Sequence, residues 1–158
     1  MLVEARHATA EDLPGLIGLY RGLEEEMVAL HPMWPLADGL PEPIEDSLGT
    51  LVDDDEVLVV LGLIDDYPLG FMTGTIENLL PQADGARLGV IRLVWVDHEA
   101  RQVGLGEVMR DMVLSALRDQ GISRFDAHVL PGHRLAKNYF ESGGFSARSI
   151  VMHHDDDR

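Results

Sequence analysis

The chain contains no cysteine, which excludes a disulfide framework, a thiolate nucleophile and any Cys-based metal site. Basic residues are scarce: 12 Lys and Arg stand against 28 Asp and Glu, a formal net charge of −16. Nucleic acid and anionic membrane are thereby disfavoured as partners, because phosphate surfaces are gripped by clustered cations. Long hydrophobic runs are missing too. The longest, residues 57–64, has eight residues, far short of the roughly 20 that span a bilayer. Glu4 and Arg6 interrupt the opening residues before any signal-peptide apolar region develops. These absences lead us to expect a cytoplasmic protein.

What is present is an ordinary globular composition: 158 residues, 46% hydrophobic and 25% charged. That is enough for one domain with its own core. No repeat, low-complexity stretch or linker divides the chain. The acidity either draws in a cationic acceptor such as an amine or serves solubility alone.

Periodicity predicts a strand over 3–7, then a helix opened by Thr9 and Asp12, three apart as in a capping box. Leu13, Leu16, Ile17, Tyr20, Leu23 and Met27 recur along it at helical spacing. A Pro-rich loop over 31–43 and a short helix over 44–51 follow. Strands are expected over 57–64 and 69–77, joined by Asp65-Asp66-Tyr67-Pro68, and over 88–96. A helix over 105–120 ends at Gly121. A strand over 125–130, a helix over 133–142 and a last strand over 149–154 complete the order. Early hairpins with later helical crossovers predict an α/β (α+β) fold, a mixed central sheet flanked by helices.

The informative segment is Val94-Trp95-Val96-Asp97-His98-Glu99-Ala100-Arg101-Gln102-Val103-Gly104-Leu105-Gly106. A strand runs into a glycine-containing turn that opens an amphipathic helix. Such a turn aims backbone amides at one point, and the helix dipole adds positive charge there. Gly104 and Gly106 let a pyrophosphate approach the backbone, although close helix–strand packing would select glycines as well.

Arg101-Gln102-Val103-Gly104-Leu105-Gly106 resembles the acetyl-CoA motif Gln/Arg-x-x-Gly-x-Gly/Ala of the GNAT superfamily. Residues 136–145, Ala-Lys-Asn-Tyr-Phe-Glu-Ser-Gly-Gly-Phe, are similar to the family's second helix and turn, and residues 6–14 to many of its N-termini. The resemblance spans nearly the whole chain. It implies a fold whose two neighbouring parallel strands splay to admit acetyl-CoA as cosubstrate. By that analogy the backbone of Val94 and Val96 pairs with the pantetheine, and the Val94 amide also polarises the thioester carbonyl. The amides of Gln102, Val103, Gly104, Leu105, Gly106 and Glu107 cradle the pyrophosphate. Arg101 closes the loop, touches phosphate or is a solvated surface residue. His133 and Asn138 are further candidates for cofactor contact, with solvent-facing roles as the alternative.

Three departures bear on chemistry. Arg92 stands where many members carry a Glu, nine residues before the motif's Arg or Gln. It binds a substrate carboxylate or pairs with Glu77. If it is free, it favours an acceptor bearing both amine and carboxylate, and alternation puts it on one face with Val90 and Val94. The family's general-acid Tyr aligns with Phe140, so Tyr139, about 100° around the helix, substitutes, or solvent protonates the thiolate. His133 replaces a frequent Asn. Substitute bases are His128, Glu26 and Glu77; Glu24-Glu25-Glu26 reads most simply as a solvated helix end. Met33 and Trp34 line the acceptor pocket or anchor their loop. His153-His154-Asp155-Asp156-Asp157 is a metal-binding run or a terminal tail. The implied function is N-acetyl transfer from acetyl-CoA to a primary amine of a small molecule or peptide, with a catalytically weak acyl-CoA-binding or sensing module as the alternative. A homodimer stays open.

Overall fold

The computed structural model describes all residues, Met1–Arg158. In chain order it contains β1 (Val3–His7), α1 (Leu13–Leu30), α2 (Trp34–Ala37), α3 (Ile44–Asp53), β2 (Leu58–Ile64), β3 (Tyr67–Asn78), β4 (Arg87–Val96), α4 (Leu105–Asp119), β5 (Phe125–Ala127) and α5 (Arg134–Ser142). The strands form one sheet in the order β1-β2-β3-β4-β5. The first four are antiparallel neighbours, and β5 runs parallel to β4. This is the mixed sheet expected from the sequence. No helix is long and apolar enough to cross a membrane.

The start of α1 shows how local chemistry sets an element. The Thr9 amide donates to Asp12 at 2.8 Å, opening a short 3₁₀ turn at Ala10–Asp12 that leads into α1. Arg6 closes on the same carboxylate with two bonds of 2.8 and 2.9 Å. The Arg6 bonds, with the Thr9 amide, outweigh burial and hold the Asp12 carboxyl down to about 2. Leu16, Leu19, Tyr20, Leu23 and Met27 then bury one stripe of α1. They join residues of α2 and α3 against Val59, Leu61, Leu63, Phe71, Leu93 and Trp95 on one face of the sheet. The other face carries α4 and α5, packed on Val60, Met72 and Ile91.

That second face is grooved. A methyl group on Gly62 would sit 2.8 Å from Leu105, on Gly70 3.0 Å from Met109, on Gly74 2.9 Å from Val113, and on Gly89 2.8 Å from Leu117. The four α4 side chains are spaced by four, one per turn of a single helix face. The glycines lie on β2, β3 and β4. Thus α4 settles into a trench that any side chain would fill.

β4 carries a bulge. Met72 pairs with Val94 and Gly74 with Ile91, so Thr73 faces both Arg92 and Leu93. The buried Thr73 hydroxyl accepts from the Leu93 amide at 3.3 Å. The alternation slips across it: Ile91 and Val94, three apart, share the α4-side cluster, while Leu93 and Trp95 face α1. The expected common face of Val90, Arg92 and Val94 therefore fails at Val94.

Two further expectations need correction. Residues 149–154 form no strand, and β5 stops at Ala127 instead of reaching residue 130. Ile150, Val151 and Met152 are 70%, 88% and 88% exposed. Their composition suits a strand, but no edge pairs with them, and an unpaired strand has no ladder to hold it. Only Arg148, ion-paired with Asp126, ties this segment back to β5.

Candidate active site

The parallel pair is short. Gly89, Val90 and Ile91 of β4 face Phe125, Asp126 and Ala127, and the His128 amide makes the last link, to the Ile91 carbonyl at 3.0 Å. Beyond Ile91 the β4 edge has no strand partner. The Asp97 amide bonds back to Leu69 on β3, so alternation turns the amides and carbonyls of Val94 and Val96 toward the open side. This split edge leads straight into the glycine turn. Gln102 and Gly104 both have positive φ, +68° and +90°. Left-handed residues two apart curl the chain at the head of α4, the kind of turn that can aim successive amides at an anion. A methyl placed on Gly104 would meet nothing within 4 Å, so the backbone there is open to close approach. The residues present therefore fit coenzyme A. Gln102, Val103 and Glu107 lie exposed along this turn, whereas the Leu105 side chain is buried in the Gly62 trench, leaving only its backbone on the turn.

Arg101 closes the loop. Its Nε donates to the Val96 carbonyl at 2.9 Å and its Nη2 to Glu26 Oε1 at 2.7 Å. One lone pair of Val96 is thus already engaged. His133 Nε2 lies 2.8 Å from Glu26 Oε2 and His98 Nε2 3.3 Å from Oε1. The His133 approach is off the line of a good hydrogen bond, leaving Oε2 unsatisfied, as is the buried Trp95 Nε1 beside it. Burial alone would raise the Glu26 carboxyl, but bonding and charge from Arg101, with the charge of His133, carry it below its ordinary value. Glu26 is therefore no solvated helix end: its side chain is 16% exposed. It ties α1 to the β4 side of the split through Arg101 and to the α5 side through His133. An open cavity of about 340 Å³ lies beside it, lined by Gly22, Glu25, Glu26, Ala29, Trp95 and His98.

On the opposite side of the turn, Tyr139 donates its hydroxyl to the Gly106 carbonyl at 2.5 Å. Burial raises its pKa well above the usual tyrosine value. Phe140, in the family's general-acid position, is buried in the core. Asn138 is exposed and makes no side-chain hydrogen bond within the chain.

At the mouth of the split Arg92 Nη2 meets Glu77 at 2.8 Å, and Nη1 lies 3.3 Å from His128 Nε2. The structure thus favours pairing with Glu77 over a free guanidinium. Partial burial, then the Arg92 charge, lowers the His128 pKa against the pull of Asp126, Asp38 and Glu77. Both effects favour the neutral imidazole, which is accessible to solvent. Trp34 anchors its loop, buried with its ring 6.2 Å from Tyr20, whereas Met33 is exposed. His153 packs edge-on against His31, and no three His, Asp or Glu side chains converge as metal ligands.

A mixed sheet whose one parallel pair ends beside a glycine turn at a helix head has the architecture that the sequence resemblance implies for acyl-CoA-dependent transferases. The model of the acetyltransferase (GNAT) family matches residues 17–145, and the chain belongs to that family. It is an N-acetyltransferase using acetyl-CoA. No functionally curated protein matches it. Among solved structures, a tetramutant of the BH1408 protein from Bacillus halodurans is similar at 18% identity and TM-score 0.82, over 98% of this chain and 99% of that one. AAC(6')-Iy in complex with the bisubstrate analogue CoA-S-monomethyl-acetylneamine is similar at 15% identity and TM-score 0.74, over 99% of both chains. The ribosomal-protein-alanine N-acetyltransferase from Brucella melitensis biovar Abortus 2308 is similar at 16% and 0.72, over 98% and 100%. At such identities the likeness is one of fold.

Proposed function

We propose that this acetyltransferase acts on a primary amine of a small molecule or peptide, with His128 as the general base. The observation that carries this reading is the solvent-accessible His128 imidazole at the mouth of the split, one residue past the end of β5 and 3.3 Å from Arg92 Nη1. His128 takes a proton from the acceptor ammonium or from the attacking nitrogen, directly or through water, on the Nε2 lone pair once its long 3.3 Å contact with Arg92 gives way. The amine nitrogen bonds to the thioester carbon, the Val94 amide donates to the carbonyl oxygen, and the C–S bond breaks. The chain offers the departing thiolate no tyrosine at the aligned position, since that residue is Phe140, so the thiolate takes its proton from solvent.

Arg92 has a supporting role in this reading: engaged by Glu77, it holds His128 neutral by its charge and does not select an acceptor carboxylate. Acceptors with and without a carboxylate should then react comparably. Arg92→Ala should move the acidic limb of the kcat/KM profile to higher pH, because removing a nearby cation raises the imidazole pKa. An unmoved limb, or loss of carboxylate-bearing acceptors alone, would show instead that Arg92 binds substrate. Thiol release from acetyl-CoA across an amine panel tests the whole assignment. Coenzyme A binding without release by any amine would favour the acyl-CoA-sensing alternative, to which the missing Glu and Tyr also point.

A further inference from the structure

The geometry points to Tyr139 as a positioning residue that sets the phosphate-binding turn from the α5 side. The inference rests on the reading that residues 102–107 hold the cofactor pyrophosphate. Tyr139 meets that turn twice. Its hydroxyl donates to the Gly106 carbonyl at 2.5 Å, and its ring occupies the space a Gly106 side chain would need, with Cε1 2.9 Å from where a methyl on that glycine would sit. Gly106 belongs to the first turn of α4, so a shift at its carbonyl moves the amides of that turn with it.

Tyr139 is itself held from α4. Arg110, 9% exposed, donates to the Tyr139 carbonyl at 2.9 Å and stacks its guanidinium 5.0 Å above the ring. Gly143 packs so closely on that guanidinium that an added methyl would lie 2.8 Å from Nη1. Phe140 flanks the ring edge-on, with centroids 4.8 Å apart. The phenol therefore has one accessible orientation, and that orientation hands its proton to Gly106. A tyrosine so engaged is turned away from the thioester and braces the turn instead. This accounts for the exchange at neighbouring positions: the aligned aromatic, Phe140, fills the core, while its neighbour grips the cofactor turn.

Tyr139→Phe keeps the ring and removes only the hydroxyl. Calorimetry should show coenzyme A affinity weakened by roughly threefold to tenfold, the scale of one net hydrogen bond, with kcat at saturating acetyl-CoA within about twofold of wild type. Gly106→Ala should weaken binding as well, because its methyl presses on the Tyr139 ring. In a Tyr139→Ala background that second loss should vanish, since the ring is gone. Additive losses, or unchanged coenzyme A affinity in Tyr139→Phe, would overturn the proposal. A kcat fall of about a hundredfold at unchanged affinity would overturn it too, by making Tyr139 a general acid. Wild type and Gly104→Val serve as controls. Should neither dependence on the turn nor coenzyme A binding appear in them, the reading of the turn fails; should only Tyr139→Phe be silent, the bracing role alone fails.

Discussion

Alanine at position 128 is expected to lower turnover with amine acceptors by on the order of 10²-fold, the scale of a lost general base, with coenzyme A affinity little changed. The separation follows from position. His128 stands at the acceptor mouth, linked to β4 by its amide on the Ile91 carbonyl and by its ring beside Arg92, while the cofactor turn lies beyond Val96. The pH dependence carries a sign. Partial burial and Arg92 depress the imidazole pKa, so protonation removes the base only below the usual histidine value of about 6.5. Activity should hold through neutral pH and fall on the acidic side of that value, and the fall should be absent from the residual activity of His128→Ala. Full turnover in the alanine variant would exclude His128 and direct attention to Glu77 or to water.

Valine in place of Gly104 should cost more on the binding side. Gly104 has φ of +90° and ψ of 3° at the head of α4, a region a β-branched residue occupies only under strain of about 1–3 kcal/mol. A Cβ added there meets no heavy atom within 4 Å, so steric clash at that atom does not oppose folding. The methyls would project into the space left for phosphate, and the strained turn would aim its amides elsewhere. A coenzyme A affinity weaker by roughly a hundredfold or more is expected from these two effects together, measured by calorimetry on a variant shown to be folded by circular dichroism. Gly104→Ala should fall between valine and wild type. Unchanged affinity in folded Gly104→Val would remove the turn from the cofactor site.

Much of this was legible because it is local. The stripe through Leu16 and Met27, the Thr9–Asp12 start and the glycine-opened helix at Leu105 are written in spacings of three and four. The two-glycine turn was readable as the opening of a helix, yet the left-handed Gln102 inside it was not, because that residue type does not announce a positive φ. What escaped reading depends on partners distant in the chain. Glu26 looks like any acidic helix end until Arg101, 75 residues away, is folded against it. The bulge at Arg92 and Leu93 exists only in register with Thr73. Ile150-Val151-Met152 has strand composition, but composition cannot supply the absent neighbour. Tyr139 and Phe140 are adjacent aromatics, and only packing decides which one enters the core.

The glycine trench beneath α4 divides the molecule mechanically. Leu105, Met109, Val113 and Leu117 are keyed into four depressions spread over three strands, and sliding or rolling the helix would drive at least one of them into main chain. A close-packed contact of this kind has few alternative arrangements to move between. The α4 axis is then a fixed reference for everything mounted on it. Adjustment to a cofactor arriving or leaving must be taken up by the stretch between Asp97 and Gly104 and by α5, whose hold on the trench side runs through Tyr139 and Arg110. Any opening or closing of this enzyme is then expected as motion of one turn and one short helix against a stationary bed.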